Sequence, residues 1–149
     1  MGGAFSTVST GGSKGIARLN SDGSFDPTFY GDANNRVLAI FPLNDGKILI
    51  SGDFSQYAGV ARNRIARLNS DGSLDLAFNP NFGSDYVQIV ANQTDGKIIV
   101  NGTFLSIGGI PRNRVARLNA DGSVDLSFTV GAGTNNAGVT RAFVQPDGK

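Results

Sequence analysis

Apolar residues in this chain cluster in short runs, each closed by Gly, Asp, Asn or Ser. Residues 36–43 (RVLAIFPL) and 47–54 (KILISGDF) are almost continuously apolar at their centres, as expected of strands covered on both faces. Asn44-Asp45-Gly46 stands between them and predicts a tight hairpin. Residues 64–69 (RIARLN) and 73–78 (SLDLAF) flank Ser70-Asp71-Gly72 in the same way and predict a second hairpin. No segment sustains a helical period, so the elements predicted are antiparallel strands.

These runs recur. RLNSDGSFD (18–26) returns as RLNSDGSLD (67–75) and RLNADGSVD (117–125). Asp22, Asp71 and Asp121 lie 49 and 50 residues apart, as do Phe5, Phe54 and Phe104. A period near 50 with four strands per repeat predicts an all-β fold, a β-propeller of about 50-residue blades; a solenoid or sandwich is the alternative. In this frame residues 1–149 form a single repeat domain. Residues 37–86 and 87–138 are whole blades, 1–36 the end of a split blade, and 139–149 its first strand. Since propellers hold about four to eight blades, three repeats predict part of a larger ring, or one closed by a second copy.

Composition agrees. All 12 acidic residues are Asp, His and Cys are absent, and Gly numbers 21, which suits corners rather than helices. A net charge of +1 gives no electrostatic case for nucleic acid. No apolar run is long enough for membrane insertion, and the first residues show neither the basic nor the apolar region of a signal peptide, so any export signal is expected outside these residues. Without His, Cys or Glu the usual catalytic bases, thiolates and metal-ligand sets are missing, so neither an enzyme nor a cofactor is expected. Asp pairs in glycoside cleavage are the residual enzymatic reading.

The stretches GDFSQYAGVARNRIARLNSDGSLDLAFNP and VQIVANQTDGKIIVNGTF resemble the delta-60 repeat family of bacterial β-propeller-like repeats. The resemblance spans essentially the whole chain. It implies a propeller in large, often exported or cell-surface proteins, and no established activity. The first copy departs from the pattern, lacking the arginines equivalent to Arg62 and Arg64.

The phrase N-x-D-G-S-x-D also resembles the middle of a calcium loop, though without its first Asp and distal Glu. That alternative involves Asn20, Asp22 and Asp26, Asn69, Asp71 and Asp75, and Asn119, Asp121 and Asp125. The structural reading is that Asp-Gly shapes the turn and the last Asp pairs with Arg18, Arg67 or Arg117. An anion-binding ring of those arginines is the other possibility. The Asp-Gly turns share one face of the blades and hardly vary, whereas the other connections vary and define the expected binding face. Its candidate contacts are Tyr57, Arg62, Phe82, Tyr86 and Arg112. The function expected is a scaffold for protein or glycan binding and self-assembly, with homo-oligomer or neighbouring-repeat partners. A purely structural protomer of a surface fibre is the alternative.

Overall fold

A computed structural model of the chain describes residues 1–3 and 14–129. The strand expected over 139–149 and most of the loops at 6–14 and 129–138 lie outside the described residues. Every regular element among the described residues is a β-strand. The chain divides into two compact units, residues 1–76 and 77–149.

In the first unit β1 (Val37–Pro42), β2 (Ile48–Gly52) and β5 (Ile65–Leu68) form one antiparallel sheet with β2 at its centre. Ile50 pairs with Ile40 on one side and Ala66 on the other. The second unit repeats this with β6 (Val87–Asn92), β7 (Ile98–Gly102) and β10 (Val115–Leu118), where Val100 pairs with Ile89 and Ala116. The central strands are the most apolar because both faces and both edges are covered. Leu49, Ile50, Ile98 and Val100 are accordingly buried. A bulge beside Leu38 turns that side chain to solvent.

Both turn families share one geometry. Gly46 N–H donates to the Leu43 carbonyl and Leu43 N–H to that of Lys47; Asn69, Gly72 and Ser73 repeat the arrangement. Gly23, Gly46, Gly72, Gly96 and Gly122 have φ between 81° and 91°, a left-handed conformation that disfavours any side chain. This is the glycine-bulge hairpin turn.

Two features differ from expectation. The fourth strand over 73–78 shrinks to single bridges, Leu68 with Leu74 and, one repeat on, Leu118 with Val124. In the first and third repeats the Asp that follows turns the chain away, as the Asp26 and Asp125 carboxylates accept from Thr28 N–H and Ser127 N–H. Conversely, the loops 55–63 and 105–113 contain small hairpins, β3 (Gln56–Tyr57) with β4 (Val60–Ala61) and β8 (Ser106–Ile107) with β9 (Ile110–Pro111). Their corners, Ala58-Gly59 and Gly108-Gly109, have positive φ throughout, the mirror-image turn that matches strand twist.

The core of the first unit gathers Ile16 and Phe29 from one repeat with Val37, Ile50, Phe54, Tyr57, Ala66 and Leu68 from the next. In the second unit Phe82 and Phe104 pack with ring centroids 5.1 Å apart. Gly52 and Gly102 sit where the backbone of the preceding segment passes, so a Cβ on Gly102 would strike the Tyr86 carbonyl. Gly102→Ala should therefore cost about 3 kcal/mol, the upper end of overpacking. Gly59→Ala, which points into open space at φ 74°, should cost about 1 kcal/mol. Urea unfolding of both variants checks the order, and an equal loss would disprove the close approach.

Candidate binding surface

The arginine of each repeated phrase is tied to the aspartate eight residues on. Arg18 Nε lies 2.7 Å from Asp26 Oδ2, Arg67 Nε 2.8 Å from Asp75 Oδ2, and Arg117 Nε 2.8 Å from Asp125 Oδ2. Lys47 and Lys97 add a second cation to Asp75 and Asp125. Arg18 and Arg117 also stack on Phe29 and Phe128, 5.1 and 4.7 Å from the ring centroids. Arg18 Nη1 reaches the Ser70 carbonyl of the next repeat at 2.6 Å. This set is a structural staple: a charge in a mostly apolar strand is compensated where it emerges.

The other polar residues of the phrase serve the turn. Asp22 accepts both the N–H and the hydroxyl of Ser24, and Asp71 and Asp121 do the same with Ser73 and Ser123. Asn20, Asn69 and Asn119 donate to those serine hydroxyls. Among the described residues no three acidic side chains converge. A calcium ion at one of these turns would have to displace the serine and arginine donors already there.

The structure separates the candidate contacts. Tyr57 and Phe82 are core residues, not surface ones; each anchors its loop by filling the core under it. The Tyr57 hydroxyl donates to the Gly72 carbonyl at 2.7 Å, and burial pushes its pKa up. Arg62 is 6% exposed; its Nη atoms donate to the carbonyls of Ala61 (2.8 Å) and Leu76 (3.3 Å). Arg112 does the same with Pro111 (2.9 Å) and Asp125 (3.2 Å). Both arginines clamp the small hairpin to the end of the fourth segment. Tyr86, at 40% exposure, is the candidate whose ring reaches solvent.

A second polar group stands at the same end of the sheet. In the second repeat Asp53 is held by Arg36 at 2.6 Å and by Arg64 at 3.1 Å. Arg64 and its counterpart Arg114 have φ of 68° and 66°, and the first repeat places Gly15, φ 72°, at that position. A left-handed residue is thus required on entry to the third strand, which explains why glycine can stand there in the first repeat. In the third repeat Tyr86 and Thr103 replace Arg36 and Asp53. This variation could have been found by aligning the repeats.

The staples make stability depend on acid. Hydrogen bonds from Thr28, then the Arg18 contact, lower Asp26 from 3.8 to about 2. Ser127, with Lys97 and Arg117, lowers Asp125, and Ser24 and Ser73 lower Asp22 and Asp71. Folding therefore favours the ionised form, and this stabilisation is complete above about pH 4 and lost as pH falls through 2. The urea midpoint should fall between about pH 5 and 2, and fall less in Asp26→Asn; a flat wild-type profile over that window would contradict the staple.

Among the described residues no helix is long and apolar enough to cross a membrane. Searches of curated proteins and of solved structures returned no match. A family model described as a domain of unknown function (DUF5122) beta-propeller matches residues 1–29, 43–78 and 93–128, most of the chain. Each matched segment carries one copy of the staple, and with the repeated all-β sheets this places the chain in the DUF5122 β-propeller family.

Proposed function

We propose that the chain is a non-enzymatic propeller scaffold that binds a glycan or protein through the variable end of its sheets and assembles with like repeats. The observation that supports this best is the division of its polar residues. The recurring ones are consumed in internal staples and turns, whereas Tyr86, Thr103 and Leu105 differ from their counterparts in the other repeats at the opposite end. Variable side chains on a rigid frame are where recognition resides. The delta-60 resemblance supports a setting outside the cell or on the bacterial surface. An immobilised chain tested against a panel of oligosaccharides should retain a subset, with at least severalfold loss in Tyr86→Ala and none in Asp45→Asn, at the invariant end. Retention of nothing, or equal loss in both variants, would overturn the reading.

One observation favours the structural alternative. Leu76 and Leu126 occupy the same position in successive repeats and are 68% and 66% exposed. A large apolar side chain left in water twice at one site suits a surface that packs on another molecule. Light scattering over a dilution series should show a defined oligomer that falls towards monomer in the Leu76→Ser, Leu126→Ser double variant. An unchanged mass would exclude these leucines from the contact.

A further inference from the structure

We infer that Tyr86, Thr103 and Arg114 form a site for a carboxylated sugar, an inference that rests on the scaffold reading and assigns its ligand class. The second repeat supplies the template, where the Asp53 carboxylate lies between the guanidinium groups of Arg36 and Arg64. In the third repeat the arginine remains as Arg114, but Asp53 has become Thr103 and Arg36 has become Tyr86. The backbone is retained: Gly102 N–H donates to the Arg114 carbonyl at 2.9 Å, as Gly52 does to that of Arg64. Thr103 N–H donates to the Tyr86 carbonyl at 3.1 Å. Thr103 and Tyr86 are exposed and Arg114 is half-buried. Among the described residues the Arg114 guanidinium has no ion pair, whereas Arg64 is satisfied by its own chain. The site is a carboxylate-binding corner from which the intramolecular carboxylate has been removed.

The chemistry around it selects the ligand. A guanidinium binds carboxylate through two parallel hydrogen bonds, geometry an ammonium cannot reproduce. The Thr103 oxygen accepts from Tyr86 N–H at 3.1 Å, which leaves its hydroxyl proton to donate outward. The Tyr86 ring adds an exposed apolar face with a polar tip. Thr103 N–H donates to the Tyr86 carbonyl and Tyr86 N–H to the Thr103 hydroxyl oxygen, so the N–H and C=O of Tyr86 are already engaged. A peptide adding a strand there would need such groups free; a sugar acid brings its own hydroxyls and ring face. Asp85, beside Tyr86, forms no ion pair among the described residues, and its charge opposes an anion.

The test is titration calorimetry of the full chain with a galacturonic acid trimer, its methyl ester and an Asp-rich peptide. The acid trimer should bind and the ester should not. Arg114→Gly keeps the backbone, since the first repeat has Gly15 there at φ 72°, and should weaken binding roughly ten- to hundredfold. Thr103→Asp restores the internal partner seen in the second repeat and should abolish binding in a folded protein. Asp85→Asn should tighten it severalfold. Equal binding of the ester, preference for the peptide, or binding unaffected by Arg114→Gly and Thr103→Asp overturns the site. Retention of another glycan, lost in Tyr86→Ala, would leave the scaffold reading standing; if the panel too binds nothing, both fail.

Discussion

A guanidinium placed in a nearly apolar strand has to find an anion or draw water into the blade. Arg18, Arg67 and Arg117 meet that constraint through the carboxylate brought opposite by a tight turn, and the geometry of the repeat follows from it. Pairing of Asp26 N–H with the Arg18 carbonyl, repeated at Asp75 with Arg67 and Asp125 with Arg117, sets the register of the third and fourth segments. Because desolvation offsets much of the attraction in a partly buried ion pair, the staple acts more on register than on net stability. A one-residue slip would leave both charges unpaired where they are partly shielded from water, a cost the native register avoids.

The same constraint orders the repeats along the chain. Arg18 continues past Asp26 to the Ser70 carbonyl, Tyr30 N–H reaches the Asp71 carbonyl, and Tyr57 closes on Gly72. The Asp-Gly turn of one repeat is thereby seated on the phenylalanine segment of the one before. A Cβ at Gly72 would meet the Tyr30 backbone and one at Gly122 the Phe78 ring, so glycine is needed there for contact as well as for φ. Residues that recur are therefore explained by architecture, and functional weight shifts to those that change.

Substitution at a fixed scaffold position is how such a repeat can acquire a site. Where Asp53 satisfies two arginines, the corner is closed; where Thr103 stands, the internal carboxylate gives way to a hydroxyl that accepts from Tyr86 N–H. The small hairpins support this end of the sheet, since Tyr57 and Ile107 bury beneath it and Arg62 and Arg112 lock the loops to the chain that follows. Sequence-based expectation placed Tyr57, Phe82 and Arg62 among the contacts because aromatic and arginine side chains are common in recognition. Burial distinguishes an anchor from a contact, and burial is not a local property.

The sequence by itself determined the strand type, the 49- and 50-residue spacing and the hairpin turns, and it left the phrase's Arg with two partners, its Asp or an outside anion. These depend on residue type and short spacing: Asp-Gly sets left-handed backbone, continuous apolar runs set covered strands, and a short span across a tight turn brings the Asp within reach. Only the tertiary structure decided that the fourth segment turns away after one bridge, that loops 55–63 and 105–113 fold as hairpins, and which aromatic rings face water. It also decided that Arg64 and Arg114 occupy left-handed backbone, and so why Gly15 can replace them. Those outcomes arise from competition among groups distant in the chain, where a side-chain acceptor, a passing carbonyl or a neighbouring core outweighs the local preference.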